Sequence, residues 1–186
     1  MAKLYFKYGV MGSSKTAQAL ITKFNYEESG MKVLLIKPSI DTRDGENIIQ
    51  SRIGLKGEAV ILHPEDELKV STVSNYDVII ADESQFFTPE QIERFKDIAV
   101  YCNIPVLCYG LLTDFQTKLF PGSKRLIELA DSLQEIKMVC DCGRKAQVNA
   151  RLMDGFVVKQ GEQVMLGGNE SYKAMCYECW DSEGIG

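Results

Sequence analysis

Short apolar runs alternate with longer amphipathic stretches through the first two-thirds of this chain. Residues 4–8, 32–36, 58–62, 76–81 and 104–109 read as strands. Residues 15–28 and 123–130 read as helices, and Thr88-Pro89-Glu90 opens a third that runs to about Tyr101, with Pro at its first position. The run at 76–81 is almost wholly apolar, as a central parallel strand covered on both faces must be. Such alternation predicts an α/β fold, a parallel sheet with helices on both faces.

Two stretches break the rhythm. Residues 41–57 carry charges and Gly45, Gly54 and Gly57 without periodicity, and are expected to form a mobile loop. From about Cys140 the texture shifts to Gly, polar residues and Cys, which predicts a small loop-rich unit. The expected division is 1–136 and 137–186.

Composition then bounds the class. The chain has 186 residues, 45% hydrophobic and 25% charged, enough for one ordinary domain with an appendage. No run reaches the length of a membrane span, and the first residues enter a strand without a signal-peptide core, so the expected setting is cytoplasmic with no membrane partner. Net charge is −5 with no long basic run, which speaks against a general nucleic-acid surface. Six cysteines in such a chain point to metal binding or free thiols before disulfides.

Two segments carry the chemistry. Gly9-Val10-Met11-Gly12-Ser13-Ser14-Lys15-Thr16 follows the first strand and opens the first helix. A phosphate cradle needs small residues, inward backbone N–H groups and a helix N-terminus behind them. Gly9, Gly12, Ser13 and Ser14 supply the small residues; Lys15 would reach the β- and γ-phosphates, and the Thr16 hydroxyl would ligate magnesium. Ser14 stands where the usual pattern has its second Gly. A plain Gly/Ser turn would look the same, but Ile79-Ile80-Ala81-Asp82-Glu83 downstream is an apolar strand ending in two carboxylates. Asp82 suits magnesium, and Glu83 is the candidate general base. These two segments alone leave water and an alcohol equally open as the nucleophile.

Cys140-Asp141-Cys142-Gly143 and Cys176-Tyr177-Glu178-Cys179 supply four thiols in two tight turns, the donor set of a structural zinc ribbon. The first pair has one intervening residue where two are usual, which leaves Cys142 less certain. Free thiols or a redox pair are the alternatives. Cys102 and Cys108 read as packing residues.

With these pieces in place, the chain resembles the type II thymidine kinase family, which joins a P-loop domain to a zinc-bearing lasso domain. The resemblance spans nearly the whole length and is carried by residues 9–16, Asp41-Thr42-Arg43, Asp82-Glu83-Ser84-Gln85-Phe86-Phe87, Tyr109-Gly110-Leu111 with Thr113-Asp114-Phe115, Phe120-Pro121-Gly122-Ser123, Leu129-Ala130-Asp131-Ser132, and Gly167-Gly168-Asn169-Glu170-Ser171-Tyr172. It implies transfer of the ATP γ-phosphate to the 5′-hydroxyl of thymidine, and of deoxyuridine, with magnesium and structural zinc. Residues implied at the ATP and magnesium end are Gly9, Met11, Gly12, Ser13, Ser14, Lys15, Thr16, Asp82 and Gln85. Glu83 would deprotonate the hydroxyl and Arg43 would stabilise the transferring group. The nucleoside would meet Met11, Asp41, Phe86, Leu111, Phe115, Phe120, Gly167, Gly168 and Tyr172. Asn149 stands where many members carry Thr near the base. A homotetramer and feedback binding of thymidine triphosphate are further implications. The rivals are a P-loop ATPase whose zinc ribbon meets a nucleic-acid or protein partner, and a nucleotide sensor without turnover.

Overall fold

The computed structural model describes residues 1–40, 47–165 and 170–183. In chain order the elements are β1 (Leu4–Tyr8), α1 (Lys15–Glu28), β2 (Val33–Pro38), β3 (Ile48–Gln50), β4 (Lys56–Glu58), β5 (Val60–Leu62) and α2 (Val70–Val73). There follow β6 (Val78–Ala81), a 3-10 turn (Ser84–Phe86), α3 (Pro89–Tyr101), β7 (Val106–Gly110), α4 (Pro121–Leu129) and β8 (Ser132–Glu135). The chain then forms β9 (Val148–Met153), β10 (Phe156–Val158), β11 (Glu170–Met175) and α5 (Tyr177–Ser182).

Six strands form one sheet in the order β5-β2-β6-β7-β1-β8, parallel at every junction. Because side chains alternate along a strand, the apolar runs feed two separate cores. Ile79 and Ala81 of β6, with Val106 and Cys108 of β7, pack against Ile92, Phe95 and Ile98 of α3 and Leu126 of α4. Val78, Ile80, Leu107 and Tyr109 point the other way, toward Ala19 and Leu20 of α1. Each fully buried aliphatic side chain stabilises such a layer by about 1.5–3 kcal/mol. The expected parallel sheet with helices on both faces is what the chain forms.

Local signals set the element ends. Thr88 accepts the Gln91 N–H at 3.1 Å while Gln91 accepts the Thr88 N–H at 3.0 Å, a reciprocal cap ahead of Pro89. The helix expected over 123–130 starts two residues early, at Pro121, whose fixed φ suits the first turn. β2 runs on to Pro38 because β5 pairs there, whereas β6 pairing stops at Ile36, so the missing proline N–H interrupts no ladder with β6.

Three expectations need correction. The single strand at 58–62 is two: Lys56–Glu58 pairs antiparallel with Ile48–Gln50, and Val60–Leu62 joins the main sheet. Residues 48–57 are therefore not a mobile loop. Ile49 is buried beside Leu20, and a Cβ on Gly57 would stand 2.8 Å from Leu20 Cδ2, so the hairpin lies flat on α1. Residues 41–46 lie outside the described region. The chain after Cys140 keeps its expected loops yet is more ordered than its texture implied. It holds an antiparallel sheet in the order β10-β9-β11, whose Val148, Ala150, Val157, Ala174 and Met175 pack with Trp180 and with Val10 of the N-terminal loop. The edge strand β8 gave no signal, since Leu133 is its one apolar side chain. Among the described residues no helix is long and apolar enough to cross a membrane.

Candidate active site

The loop after β1 is shaped by its small residues. A Cβ on Gly9 would stand 2.5 Å from Ser13 Oγ and 2.6 Å from the Ile136 carbonyl, so no larger residue fits there. Gly12 and Ser14 both adopt left-handed backbone, at φ 78° and 64°. Ser14 thus takes the conformation that glycine adopts without strain, at a cost of about 1–2 kcal/mol for an L-residue. The Ser13 N–H closes the loop on the Val10 carbonyl at 3.2 Å. Lys15, buried, folds back over the loop, with Nζ 2.8 Å from the Val10 carbonyl and 3.3 Å from Ser13 Oγ. The N-terminus of α1 stands directly behind, and its positive end favours an anion.

The acids arrive from the tip of β6. Asp82 is 3% exposed, and its Oδ2 accepts the Thr16 hydroxyl at 2.9 Å. This contact joins the two halves of the expected site across 66 positions of sequence. Hydroxyl and carboxylate oxygens are the hard donors a magnesium ion takes, so the pair fits that ion. Glu83 has φ 50°, a strained conformation for a residue with a side chain. Its Oε2 accepts from Gln85 Nε2 at 2.6 Å, and Gln85 Oε1 accepts the Leu111 N–H at 3.0 Å. Gln85, 2% exposed, therefore ties the carboxylate to the end of β7 with both ends of its amide. Gly110 makes room for it, since a Cβ there would stand 2.7 Å from Gln85 Oε1.

The aromatic candidates fall into two groups. Phe86 and Phe120 meet edge to face at 5.6 Å between centroids. Phe115 and Tyr172 are joined through a residue that sequence reasoning missed, Arg151. Its guanidinium carbon lies 3.6 Å from the Phe115 centroid, and its Nε donates to the Tyr172 hydroxyl at 2.9 Å. Asn149, two residues earlier on β9, accepts the Met11 N–H at 2.8 Å and donates to the Thr113 carbonyl at 2.9 Å. Together with Val10 in the second core, Asn149 fastens the phosphate loop to the smaller sheet. The apolar-polar alternation of Val148-Asn149-Ala150-Arg151 is the signal that could have found this strand, both faces of which are buried in the structure. Arg52 is a second missed cation: its Nη1 lies 3.4 Å from where a Cβ on Gly12 would stand. Asp41, Arg43, Gly167 and Gly168 lie outside the described residues.

The cysteines converge despite the short first gap. The Sγ atoms of Cys140, Cys142, Cys176 and Cys179 all lie within 4.8 Å of one another, with Cys142 and Cys176 3.6 Å apart. Zinc–sulfur bonds of about 2.3 Å in a tetrahedron place sulfurs about 3.8 Å apart, so the cluster fits zinc. Gly143 at φ 89° turns the chain, and its N–H donates to the Cys140 carbonyl at 2.8 Å. Backbone N–H groups of Cys142 and Cys176 hold the Cys140 thiol down to about 7, toward the thiolate that binds metal. Cys179, sharing hydrogen bonds with Cys176 and Cys142, is pushed up to about 12. Cys108 is a different case. Burial raises it to about 12, which leaves an inert packing thiol. Cys102 is half-buried against the same core.

A glycine-bearing loop between strand and helix, a lysine folded over it, and a strand-tip aspartate on the helix threonine define a P-loop nucleotide-binding protein with an attached cysteine cluster. The family model described as "Thymidine kinase" matches residues 2–180. Relatives named thymidine kinase include one from Legionella pneumophila (strain Lens), 46% identical over 183 residues, covering 95% of this chain and 88% of that protein. Another, from Pasteurella multocida (strain Pm70), is 43% identical over 182 residues and covers 95% of each. A third, from Enterobacteria phage T4, is 43% identical over 187 residues, covering 97% of this chain and 96% of its own. The chain belongs to the thymidine kinase family.

Proposed function

We propose that this kinase transfers the γ-phosphoryl group of ATP to the 5′-hydroxyl of thymidine, and of deoxyuridine, giving the 5′-monophosphate and ADP. Family membership supports the substrates; the contact between Thr16 and Asp82 beside a strained Glu83 is the observation that carries the chemistry. Glu83 accepts the hydroxyl proton as the new O5′–P bond forms, and the bond from the γ-phosphorus to the β-bridging oxygen breaks with its electrons leaving on ADP. Positioning and charge do most of the work in such a transfer.

In this reading the backbone of Gly9, Met11, Gly12, Ser13 and Ser14 cradles the phosphates and Lys15 sits against them. Thr16 and Asp82 would hold magnesium, which when bound neutralises charge on the phosphate oxygens. Gln85 serves this end of the site by holding Glu83, and Arg43 supplies a further cation. The nucleoside occupies a pocket among Met11, Asp41, Phe86, Leu111, Phe115, Phe120, Gly167, Gly168 and Tyr172. Residues 1–136 then act as the kinase domain and residues 137–186 as a lasso closing on the nucleoside, its base braced by zinc on Cys140, Cys142, Cys176 and Cys179. A cytoplasmic homotetramer with thymidine triphosphate as its feedback ligand completes the reading.

The test is a phosphoryl-transfer assay with ATP and magnesium across the four deoxynucleosides and deoxyuridine. Monophosphate from thymidine and deoxyuridine is the expected product. ADP release at an unchanged rate without nucleoside would replace the kinase reading with that of an ATPase.

A further inference from the structure

Among the described residues Arg151 is the largest fully buried side chain, at 1% exposure. Its described partners are all neutral: the Phe115 ring, the Tyr172 hydroxyl and the Gln163 carbonyl, which accepts from Nη2 at 3.2 Å. Nη1 has no hydrogen-bond partner among the described residues, and it faces Gly161, whose Cβ would stand 3.3 Å away. Burying a cation is costly, and apolar side chains of similar volume often serve packing as well or better. What a guanidinium adds is a flat face that stacks and a rigid fork of donors.

The contacts form a ring. Arg151 donates to the Gln163 carbonyl, Gln163 Nε2 donates to Asp114 Oδ2 at 2.9 Å, and the residue after Asp114 is Phe115, whose ring returns to Arg151. Gln116 adds a bond to the Lys159 carbonyl at 2.9 Å. Two segments distant in sequence, 113–118 and 159–163, are thereby held as one wall, and Tyr172 is fixed to it by its hydroxyl.

We propose that Arg151 is a positioning residue that sets the nucleoside pocket by holding the rings of Phe115 and Tyr172, without touching the reacting atoms. This rests on the nucleoside-kinase reading above. The loss of Arg151 should therefore weaken nucleoside binding and leave the phosphate end unaffected.

The experiment measures KM and kcat for thymidine and for ATP in wild type, R151M, R151K, Y172F and R151M/Y172F. R151M is expected to raise the thymidine KM about ten-fold or more, the loss of hydrogen bonds from a charged group, with kcat and the ATP KM within about three-fold. R151K, which keeps the charge and loses the stack, is expected to fall on the R151M side. Y172F is expected to give a smaller rise, and the double variant no more than R151M alone, because both break one contact. Should R151M fail to fold, Y172F and R151K decide by the same split. An unchanged thymidine KM in the folded variants, or parallel losses in kcat, ATP KM and melting temperature, would overturn the proposal. Wild type inactive on thymidine would instead overturn the reading it rests on.

Discussion

In the large sheet, Val78 and Ile80 meet α1 while Ile79 and Ala81 meet α3 and α4. In the small sheet, Val148 and Ala150 meet an apolar core, whereas Asn149 and Arg151, equally buried, carry hydrogen bonds to the phosphate loop and to the aromatic wall. The first region is held by apolar burial on both faces. The second has one apolar face, one polar face and four thiols, and a core that small is marginal without a metal. On the proposed reading the first is a scaffold and the second a zinc-dependent clamp, because the phosphate loop and acids follow strands of the first while Tyr172 sits on the second.

Removing the metal should separate the two regions most sharply. Structural zinc contributes about 10–16 kcal/mol of apparent binding free energy to such sites. C176S, or treatment with a chelator, is expected to release zinc, expose residues 137–183 to proteolysis and abolish saturable thymidine binding. The six-stranded sheet should survive, while ATP affinity weakens because Asn149 and the second core no longer hold Met11 and Val10 of the phosphate loop. Metal content and limited proteolysis check this; a full complement of zinc in C176S would remove Cys176 from the ligand set.

Within the scaffold, chemistry and stability should come apart. E83Q is expected to lower turnover by about 10²–10⁴ while ATP affinity and melting temperature hold, read by steady-state kinetics and nucleotide titration. I80A is expected to do the opposite. Truncating this fully buried side chain should cost about 2–5 kcal/mol in denaturant unfolding, with kcat per folded molecule and zinc content unchanged.

Legibility followed the same division. The parallel strands and α1 announced themselves because each apolar run faces helices on both sides, and Gly9, Lys15, Thr16, Asp82 and Glu83 follow directly from the loop and strand-tip pattern. β8 escaped because an edge strand buries little. β9 escaped because its short alternation over 148–151 lies within polar, Gly- and Cys-bearing sequence that reads as loop, and Arg151 escaped with it, since a buried guanidinium looks in sequence like a solvated one. The cysteine spacing pointed to a metal cluster but left Cys142 open; in the structure its sulfur converges with the other three.

The smallest expected effect concerns Ser14. Glycine there would relieve about 1–2 kcal/mol of left-handed strain and forfeit about 0.5–1 kcal/mol of chain entropy. S14G should therefore be neutral or slightly stabilising, with the ATP KM within about three-fold, checked by thermal melts and kinetics. A collapse in ATP affinity would mean that the serine hydroxyl itself holds the phosphates.

The most direct measurement is a crystal structure with thymidine and a non-hydrolysable ATP analogue, read as the distance from the Glu83 carboxylate to O5′. The expected value is hydrogen-bond reach, about 2.6–3.2 Å, with Tyr172 closing the far side of the sugar and base. A complex in which Glu83 stays on Gln85 and points away from the sugar, with no ordered pocket between it and Tyr172, would contradict the assignment.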